Sequence, residues 1–320
     1  MHRIEEIMQE QSFAYEIVNQ EVHILRCYGI SGRIIIPETL EGLPVTELSA
    51  YTFAEEIEEE PENKSGLSCI CGTALEELYL PSTIQKLGRY LFYNCIYFVK
   101  LSFYSNISFI GAGAFTGCER LVYLEMHQRE GISCLREILQ DLKQAVLVTC
   151  LSSCILKEKQ LIWCLVYPEF FEEAVENTPA RIISTQTHGM GIQYRNAFHN
   201  TQVVFSEYDK LFEIGRYHID LKNVIEMVTA RLHYPYALEK DARENYAIWL
   251  QKHLKEATEY FLEQEKLEEL KWMAEEFVET REEFDILLQS ANKKADTEAL
   301  SQLMSILHRR FSKRKKSFTL

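Results

Sequence analysis

The chain contains the phrase Ile84-x-x-Leu87-Gly88-x-x-Leu91-Phe92-x-x-Cys95, and it repeats this phrase without a gap in register as Ile107-x-x-Ile110-Gly111-x-x-Ala114-Phe115-x-x-Cys118. A second phrase recurs at the same offset, with the copies Leu75-x-x-Leu78-x-Leu80, Phe98-x-x-Leu101-x-Phe103 and Leu121-x-x-Leu124-x-Met126. A period of about 20–30 residues is typical of a solenoid, in which each coil buries its apolar side against the next coil. The repeat therefore predicts a protein that presents a long binding surface.

The residues before the repeat predict a cap and an insertion. Between Phe13 and Val45, apolar residues alternate with polar ones, and glycines and prolines separate the runs, which predicts strands that cover the end of the solenoid. A first copy of the phrase starts at Val45, and its separation from Ile84 is well above the single period that joins Ile84 to Ile107. The additional residues centre on the acidic run 55–66, which we predict to be a flexible loop.

The repeats resemble the BspA-like branch of the leucine-rich repeat proteins. The likeness covers about residues 13–126, and it is carried by Ile36-Pro37, Leu80-Pro81, Ile110-Gly111-x-x-Ala114-Phe115-x-x-Cys118 and Leu121-x-x-Leu124. This resemblance implies a curved coil of short strands that binds proteins or surface ligands. It also implies that Cys95 and Cys118 pack inside the coil as small apolar side chains.

A candidate binding face follows from the strand period of two. In Leu78-Tyr79-Leu80 this period turns the leucines inward and Tyr79 outward, and the same register exposes Ile35, Ser102 and Tyr123 beside charged neighbours. Tyrosines edged by charge suit a protein-binding surface, although ordinary cross-strand pairs would give the same pattern. The predicted partner-binding residues are Ile35, Tyr79, Lys100, Ser102, Tyr123 and Glu125.

The remainder of the chain predicts an α+β protein with three parts. The repeat and its cap occupy 1–126, a mixed capping and connecting region occupies 127–215, and an all-helical domain occupies 216–320. The mixed region suggests a helix at 135–142, buried strands at 146–148 and 161–166, and a short helix at 170–175. In the helical domain, Thr280-x-x-Glu283 is a capping box, and Asp296 or Thr297 caps the last helix. These helix pairs loosely resemble an α-solenoid of ankyrin or HEAT type.

Composition narrows the class of protein. The 320 residues carry a net charge of −14, so most of the surface should repel nucleic acid and anionic membranes. The N-terminus lacks an uninterrupted apolar run, and no apolar stretch reaches the ~18 residues of a membrane span. Nine scattered cysteines in such a chain are expected to be reduced thiols. We therefore expect a cytoplasmic protein.

Three groups of residues could carry chemistry or other binding. Cys69-x-Cys71, Cys150-x-x-x-Cys154 and Cys164 are poor zinc ligands by their spacing, so buried, inert thiols are favoured and no metal or cofactor is expected. The segment from His188 to Arg195, with Tyr194 and nearby His199, could supply a base and an anion clamp. A turn between two strands explains this segment equally well. It has no phosphate-loop or catalytic signature.

The third group is a basic tail, which suits either an anionic ligand or the C-terminal end of a helix. It contains Arg309, Arg310, Lys313, Arg314, Lys315 and Lys316. From all these features we expect a non-enzymatic cytoplasmic scaffold or adaptor that binds a protein on its sheet face. Its helical domain would bind a second partner or the same one. The alternatives are an enzyme with a site near His188, Tyr194 and Arg195, and anionic-surface or nucleic-acid binding through the tail.

Overall fold

The computed structural model describes residues 10–57, 59–129, 133–152, 160–177 and 182–311. The chain forms two compact units, Met1–Ile219 and Asp220–Leu320, which are described separately below. The division at residues 126 and 215 stays a prediction.

The first unit is built mainly from short strands. Its strands are β1 (Gln11–Val18), β2 (Glu21–Gly29), β3 (Arg33–Ile35), β4 (Thr39–Leu40), β5 (Leu43–Leu48), β6 (Ser68–Cys69), β7 (Glu77–Tyr79), β8 (Lys86–Leu87), β9 (Lys100–Tyr104), β10 (Phe109–Ile110), β11 (Tyr123–Gln128), β12 (Val146–Ser152), β13 (Leu161–Tyr167), β14 (Phe171–Asn177), β15 (Ile182–His188), β16 (Phe198–His199) and β17 (Gln202–Val203). Its helices are α1 (Leu135–Asp141), α2 (Gly191–Arg195), α3 (Phe205–Lys210) and α4 (Phe212–Gly215). The predicted strands near the N-terminus are thereby confirmed.

Two sheets run along the solenoid. One has the order β1-β2-β5-β8-β10, with β4 paired to β5 and β6 paired to β2. The other has the order β13-β12-β11-β9-β7-β3, in which β3, β7, β9, β11 and β12 are parallel and β13 is antiparallel. One buried row crosses the second sheet at aligned register and contains Ile34, Leu78, Leu101, Leu124 and Val148. The predicted solenoid and the α+β class are confirmed.

The solenoid continues one coil beyond the point where the sequence repeat fades. Strand β12 pairs with β11 so that Val148 lies opposite Leu124 and Cys150 lies opposite Met126. Both β12 residues are buried, so they occupy the same inward register. This last coil is one residue longer than the coil before it, in which Leu124 lies opposite Leu101, and valine and cysteine replace leucine and methionine. The sequence period is therefore lost although the coil persists.

The repeated phrase fills the inside of the coils with aromatic rings and thiols. Phe92 stacks on Phe53 with 5.5 Å between ring centroids and packs at a tilt against Phe115 with 5.2 Å between centroids, and all three rings are buried. The thiols of Cys95 and Cys118 are also buried, and each donates to a backbone oxygen of the preceding coil at 3.3 Å, those of Phe53 and Phe92 respectively. The predicted packing of these two cysteines inside the coil is confirmed.

The region after the repeat matches the prediction except at one segment. The helix at 135–142 and the strands at 146–148 and 161–166 are confirmed as α1, β12 and β13. The short helix predicted at 170–175 is wrong, because Phe171–Asn177 is strand β14 and pairs antiparallel with β15. As a strand, this segment obtains hydrogen-bond partners for its backbone groups from β15, a long-range pairing that the local apolar pattern does not contain.

The second unit is helical throughout its described elements. Its helices are α5 (Leu221–His233), α6 (Lys240–Lys252), α7 (Leu254–Glu263), α8 (Leu267–Glu276), α9 (Arg281–Lys293) and α10 (Thr297–Phe311). The capping box of Thr280 and Glu283 is confirmed at the start of α9. Asp296 caps α10, because its carboxylate accepts from the Ala299 amide at 2.9 Å. Hairpin α7–α8 packs on hairpin α9–α10, with α7 against α9 and α8 against α10.

A helix that crosses a bilayer must be both long and continuously apolar. Among the helices of the described residues, none meets both requirements.

Candidate functional site

The outward side of the six-stranded sheet, which we call the sheet face, carries two aligned rows of side chains. The first row runs across the strands from Arg33 through Glu77 and Lys100 to Tyr123. The second row comprises Ile35, Tyr79, Ser102 and Glu125. The parallel register therefore brings all six of the predicted partner-binding residues onto one face.

At one side of this face, the Glu77 carboxylate accepts hydrogen bonds from both Arg33 and Tyr79. Arg33 Nη2 lies 2.8 Å from Glu77 Oε1, and the Tyr79 hydroxyl donates to Glu77 Oε2 at 2.5 Å. Partial burial disfavours the charged carboxylate, but the hydrogen bonds from Arg33 and Tyr79 outweigh burial and hold the pKa of Glu77 below its ordinary value. The charge of Glu77 thus fixes the orientation of the tyrosine ring.

Glu125 is the centre of a second group of hydrogen bonds. Its Oε1 accepts from Ser102 Oγ at 3.1 Å and lies 3.2 Å from His127 Nε2, while its Oε2 accepts from Lys100 Nζ at 2.8 Å. The hydrogen bond from His127, followed by that from Lys100, outweighs burial and holds the pKa of Glu125 well below its ordinary value. Lys100 Nζ also lies 5.3 Å from the centre of the Tyr79 ring, so it links the two groups.

Two residues of this face differ from the sequence prediction. Ser102 was expected to be exposed, but it is only 4% exposed, because the longer side chains of Glu125 and His127 bond to its hydroxyl and cover it. His127 was not among the predicted residues, and its buried ring stacks on Tyr104 at 4.7 Å. The signal was available, since His127 follows Glu125 in the same outward register and occupies the position of Tyr104 in the next copy of the repeat.

Ser102, His127 and Glu125 do not form a catalytic triad. His127 Nε2 lies 3.2 Å from Ser102 Oγ and also 3.2 Å from Glu125 Oε1. A triad needs one ring nitrogen on the nucleophile and the other on the acid, so that the ring can accept the hydroxyl proton. Here a single nitrogen faces both groups and the serine is buried. The arrangement therefore orients Glu125 and does not activate the hydroxyl.

At each edge of the sheet, a side chain from elsewhere in the chain hydrogen-bonds to the backbone of one edge-strand residue. At the β3 edge, Gln11 accepts from the Ile35 amide at 3.0 Å and donates to the Ile35 carbonyl oxygen. At the β13 edge, the Tyr208 hydroxyl accepts from the Val166 amide at 3.2 Å and donates to its carbonyl oxygen at 2.6 Å. At these positions an added strand would find the edge occupied.

The residues of the alternative catalytic patch lie in two different elements. His188 ends β15 and stacks on Phe171 at 4.8 Å, whereas Tyr194 and Arg195 lie in α2 with no exposed surface. The expected turn between two strands is instead a strand-to-helix junction. Burial lowers the pKa of Arg195 to about 10. Its buried guanidinium donates to the carbonyl oxygens of Leu139, Leu142, Gln144, Pro168 and Gly191.

The remaining candidates from the sequence are a metal site, the scattered cysteines and the basic tail. Within the described ranges, no group of three or more His, Cys, Asp or Glu side chains could hold a metal ion. Cys150 and Cys164 are buried, and Cys154 lies outside the described residues. In the basic tail, Arg309 Nη2 lies 2.5 Å from Glu275 Oε1, and Arg310 donates to the Ala274 carbonyl oxygen at 2.7 Å. Lys313, Arg314, Lys315 and Lys316 lie outside the described residues.

The depressed pKa of Glu125 predicts a stability contribution that is lost in acid. In the unfolded chain a glutamate takes up a proton near pH 4.3, whereas folded Glu125 resists protonation until the pH is lower. The contribution is therefore complete above about pH 4.3 and is lost as the pH falls below it. We expect Glu125→Gln to cost about 1–3 kcal/mol at neutral pH and to flatten the acid limb of stability against pH.

Urea unfolding of both proteins between neutral and acid pH measures this effect. The control is Glu62→Gln, which disrupts the ion pair of Glu62 with Lys64. These two side chains are 81% and 82% exposed, so the control should leave the curve of stability against pH almost unchanged. Equal curves for Glu125→Gln and Glu62→Gln would show that the network on the sheet face does not contribute to stability.

The comparisons with known proteins agree with the repeat. Residues 64–137 match the family model of the BspA type leucine rich repeat region, described with six copies. The predicted likeness is thereby confirmed for the repeat region. The leucine-rich repeat is a solenoid whose repeats stack into an extended binding surface, and this supports a scaffold for protein interactions.

Two solved structures are similar to part of the chain. A leucine-rich repeat protein of T. pallidum, TpLRR, is 17% identical, with 35% of this chain and 68% of that chain covered and a TM-score of 0.23. A leucine-rich cell surface protein of Faecalibacterium prausnitzii A2-165 is 20% identical, with 37% of this chain and 28% of that chain covered and a TM-score of 0.26. The comparison with curated proteins gives no match.

Proposed function

We propose that this chain is a non-enzymatic scaffold or adaptor that binds a protein partner through its sheet face. The observation that carries the proposal is the cross-strand network that holds Tyr79, Lys100 and Glu125 in fixed positions beside Tyr123, which is 48% exposed. Side chains that are ordered before binding lose less conformational entropy in a complex. Tyrosine is also one of the residue types that dominate binding energy at interfaces.

The charges of this face indicate what kind of contact it makes. Arg33 is paired with Glu77, and Lys100 is paired with Glu125, so the two rows contain as many positive as negative groups. A surface of paired charges exerts little long-range attraction on a charged partner. We therefore expect recognition through the tyrosine rings and short hydrogen bonds, with an association rate that depends weakly on salt.

The same proposal assigns a second binding surface to the helical unit and a cytoplasmic location to the protein. Stacked helical hairpins, as formed by α7–α8 and α9–α10, present a continuous surface to a partner. The cytoplasmic location is supported by the eight described cysteines, which are all free thiols.

The test of the sheet face is a double substitution. The unaltered chain first isolates partners from a lysate, and the retained protein is then purified and titrated calorimetrically. We expect Tyr79→Ala together with Tyr123→Ala to weaken binding by about 2 kcal/mol or more, because two central aromatic contacts are lost. The control is Tyr97→Ala, which removes a tyrosine that is 45% exposed and stacks on Arg120 outside the sheet face. Undiminished affinity of the double variant, or an equal loss in the control, would exclude this face.

A further inference from the structure

Two cysteines, Cys69 and Cys71, differ from the other described cysteines. Both are partly exposed, whereas those at positions 27, 95, 118, 134, 150 and 164 are buried. They follow the acidic insertion and lie where the chain re-enters the solenoid. The repeat does not require either of them, since the cysteines of its phrase are Cys95 and Cys118.

The backbone places the two thiols on the same side of the chain. Cys69 ends β6 opposite Tyr28 of β2, and Cys71 is extended, with φ −148° and ψ 163°. Ile70 lies between them and is buried, so the strand alternation turns both cysteines away from the core. The two thiols are close enough to shift each other's pKa. Two residues of extended chain span about 6.6 Å, which lies within the range of about 4.4–6.8 Å between Cα atoms that a disulfide can bridge.

A buried cation stabilises the anionic form of one of the two thiols. Arg26 is 1% exposed, donates to the Ala54 carbonyl oxygen at 2.6 Å and pairs with Glu60 at 2.9 Å. The hydrogen bond from Cys69, together with the charge of Arg26, outweighs burial and the carboxylates of Glu60 and Glu55, and it lowers the pKa of Cys71 to about 7. The same hydrogen bond raises the pKa of Cys69, so the two thiols have different roles.

The surroundings leave room for a small reagent. Cys69 lines a groove of about 490 Å³, together with Gly29, Ile30, Ser31, Gly66 and Leu67. Cys71 is not among the lining residues of this groove, but it lies two residues from Cys69 and is itself partly exposed.

We propose that Cys69 and Cys71 form a thiol-modification site for low-molecular-weight disulfides, with glutathione disulfide as the representative reagent. The Cys71 thiolate attacks one sulfur of the reagent, the reagent's S–S bond breaks, and one glutathione leaves as its thiolate. Cys69 then gives its proton to solvent and attacks Cys71 Sγ, which releases the second glutathione. The two cysteines lose two electrons to form a disulfide, and the reagent is reduced to two glutathione thiols.

Intact-mass spectrometry and peptide mapping of the reduced full-length chain test this sequence of steps. After addition of glutathione disulfide, the unaltered chain should lose the mass of two hydrogens in the peptide that holds positions 69–71 and should retain no glutathione. Cys69→Ser should retain one glutathione on Cys71, because the resolving thiol is absent. Cys71→Ser should react at least about fivefold more slowly at neutral pH, because an ordinary thiol ionises only weakly there.

Circular dichroism of each variant confirms that the fold is retained, and the two single substitutions serve as matched controls for each other. A rate that rises with a midpoint at lower pH in Cys69→Ser than in Cys71→Ser would support the assignment of Cys71 as the attacking group, because the charge of Arg26 still favours the Cys71 thiolate in Cys69→Ser. The proposal is overturned if both variants react at the rate of the unaltered chain, or if glutathione attaches first at any other cysteine.

Discussion

Gly111→Ala is expected to destabilise the coils by about 3 kcal/mol or more, the upper range for overpacking. A Cβ atom at this position would lie 2.3 Å from the Arg89 backbone nitrogen and 2.6 Å from the Gly88 carbonyl carbon. These are backbone atoms of the preceding coil, and they cannot retreat freely because Gly111 itself donates to the Leu87 carbonyl oxygen at 2.8 Å. The substitution would force neighbouring coils apart and weaken these hydrogen bonds.

Hydrogen exchange followed by mass spectrometry measures this effect locally, in peptides from the coils. Gly42→Ala is the matched control, because Gly42 has a positive φ of 81° but no neighbouring atom within 4 Å of its Cβ position. That substitution should cost only about 1 kcal/mol, through backbone strain. If Gly111→Ala costs no more than Gly42→Ala, the close approach of the coils at this glycine does not limit stability.

Arg195→Met is expected to lower the stability of the first unit by about 3–5 kcal/mol. The arginine donates to five backbone oxygens, two of which, those of Leu139 and Leu142, lie at the C-terminal end of α1 where helical partners run out. Its guanidinium also lies 4.9 Å from the centre of the Phe170 ring. Methionine fills much of the space but leaves these buried oxygens without their donor.

Hydrogen exchange in peptides from α1 and β13 reports this loss. Arg136→Met is the control, since Arg136 donates a single exposed hydrogen bond of 3.1 Å to the Asn200 carbonyl oxygen, and it should cost less than about 1 kcal/mol. Arg195→Lys should restore little, because an ammonium group has three donors and no planar fork. A stably folded Arg195→Met protein would contradict the structural role and would return this residue to the list of ligand-binding candidates.

The candidate site was predictable in its outline but not in its detail. Strand alternation and the constant offset between repeats are enough to place Tyr79 and Tyr123 on one face. The same rules expose Ser102, yet this residue is covered by side chains from the adjacent strand. The solvent exposure of a short side chain depends on the length and direction of the side chains on the adjacent strand. The alternation of residues along a single strand carries no information about those neighbours.

Local and periodic signals in the sequence were sufficient to define the solenoid, the helical region and the cap of α9, whereas for α10 they left Asp296 and Thr297 as alternatives. Examples are the recurrence of Gly88 as Gly111 and the spacing of Thr280 and Glu283. Tertiary packing, by contrast, sets the partners of Arg195, the burial of Ser102 and the influence of the Arg26 charge on Cys71. Each of these depends on groups that are distant in the chain or lie across a sheet, and only the packed fold brings such groups together.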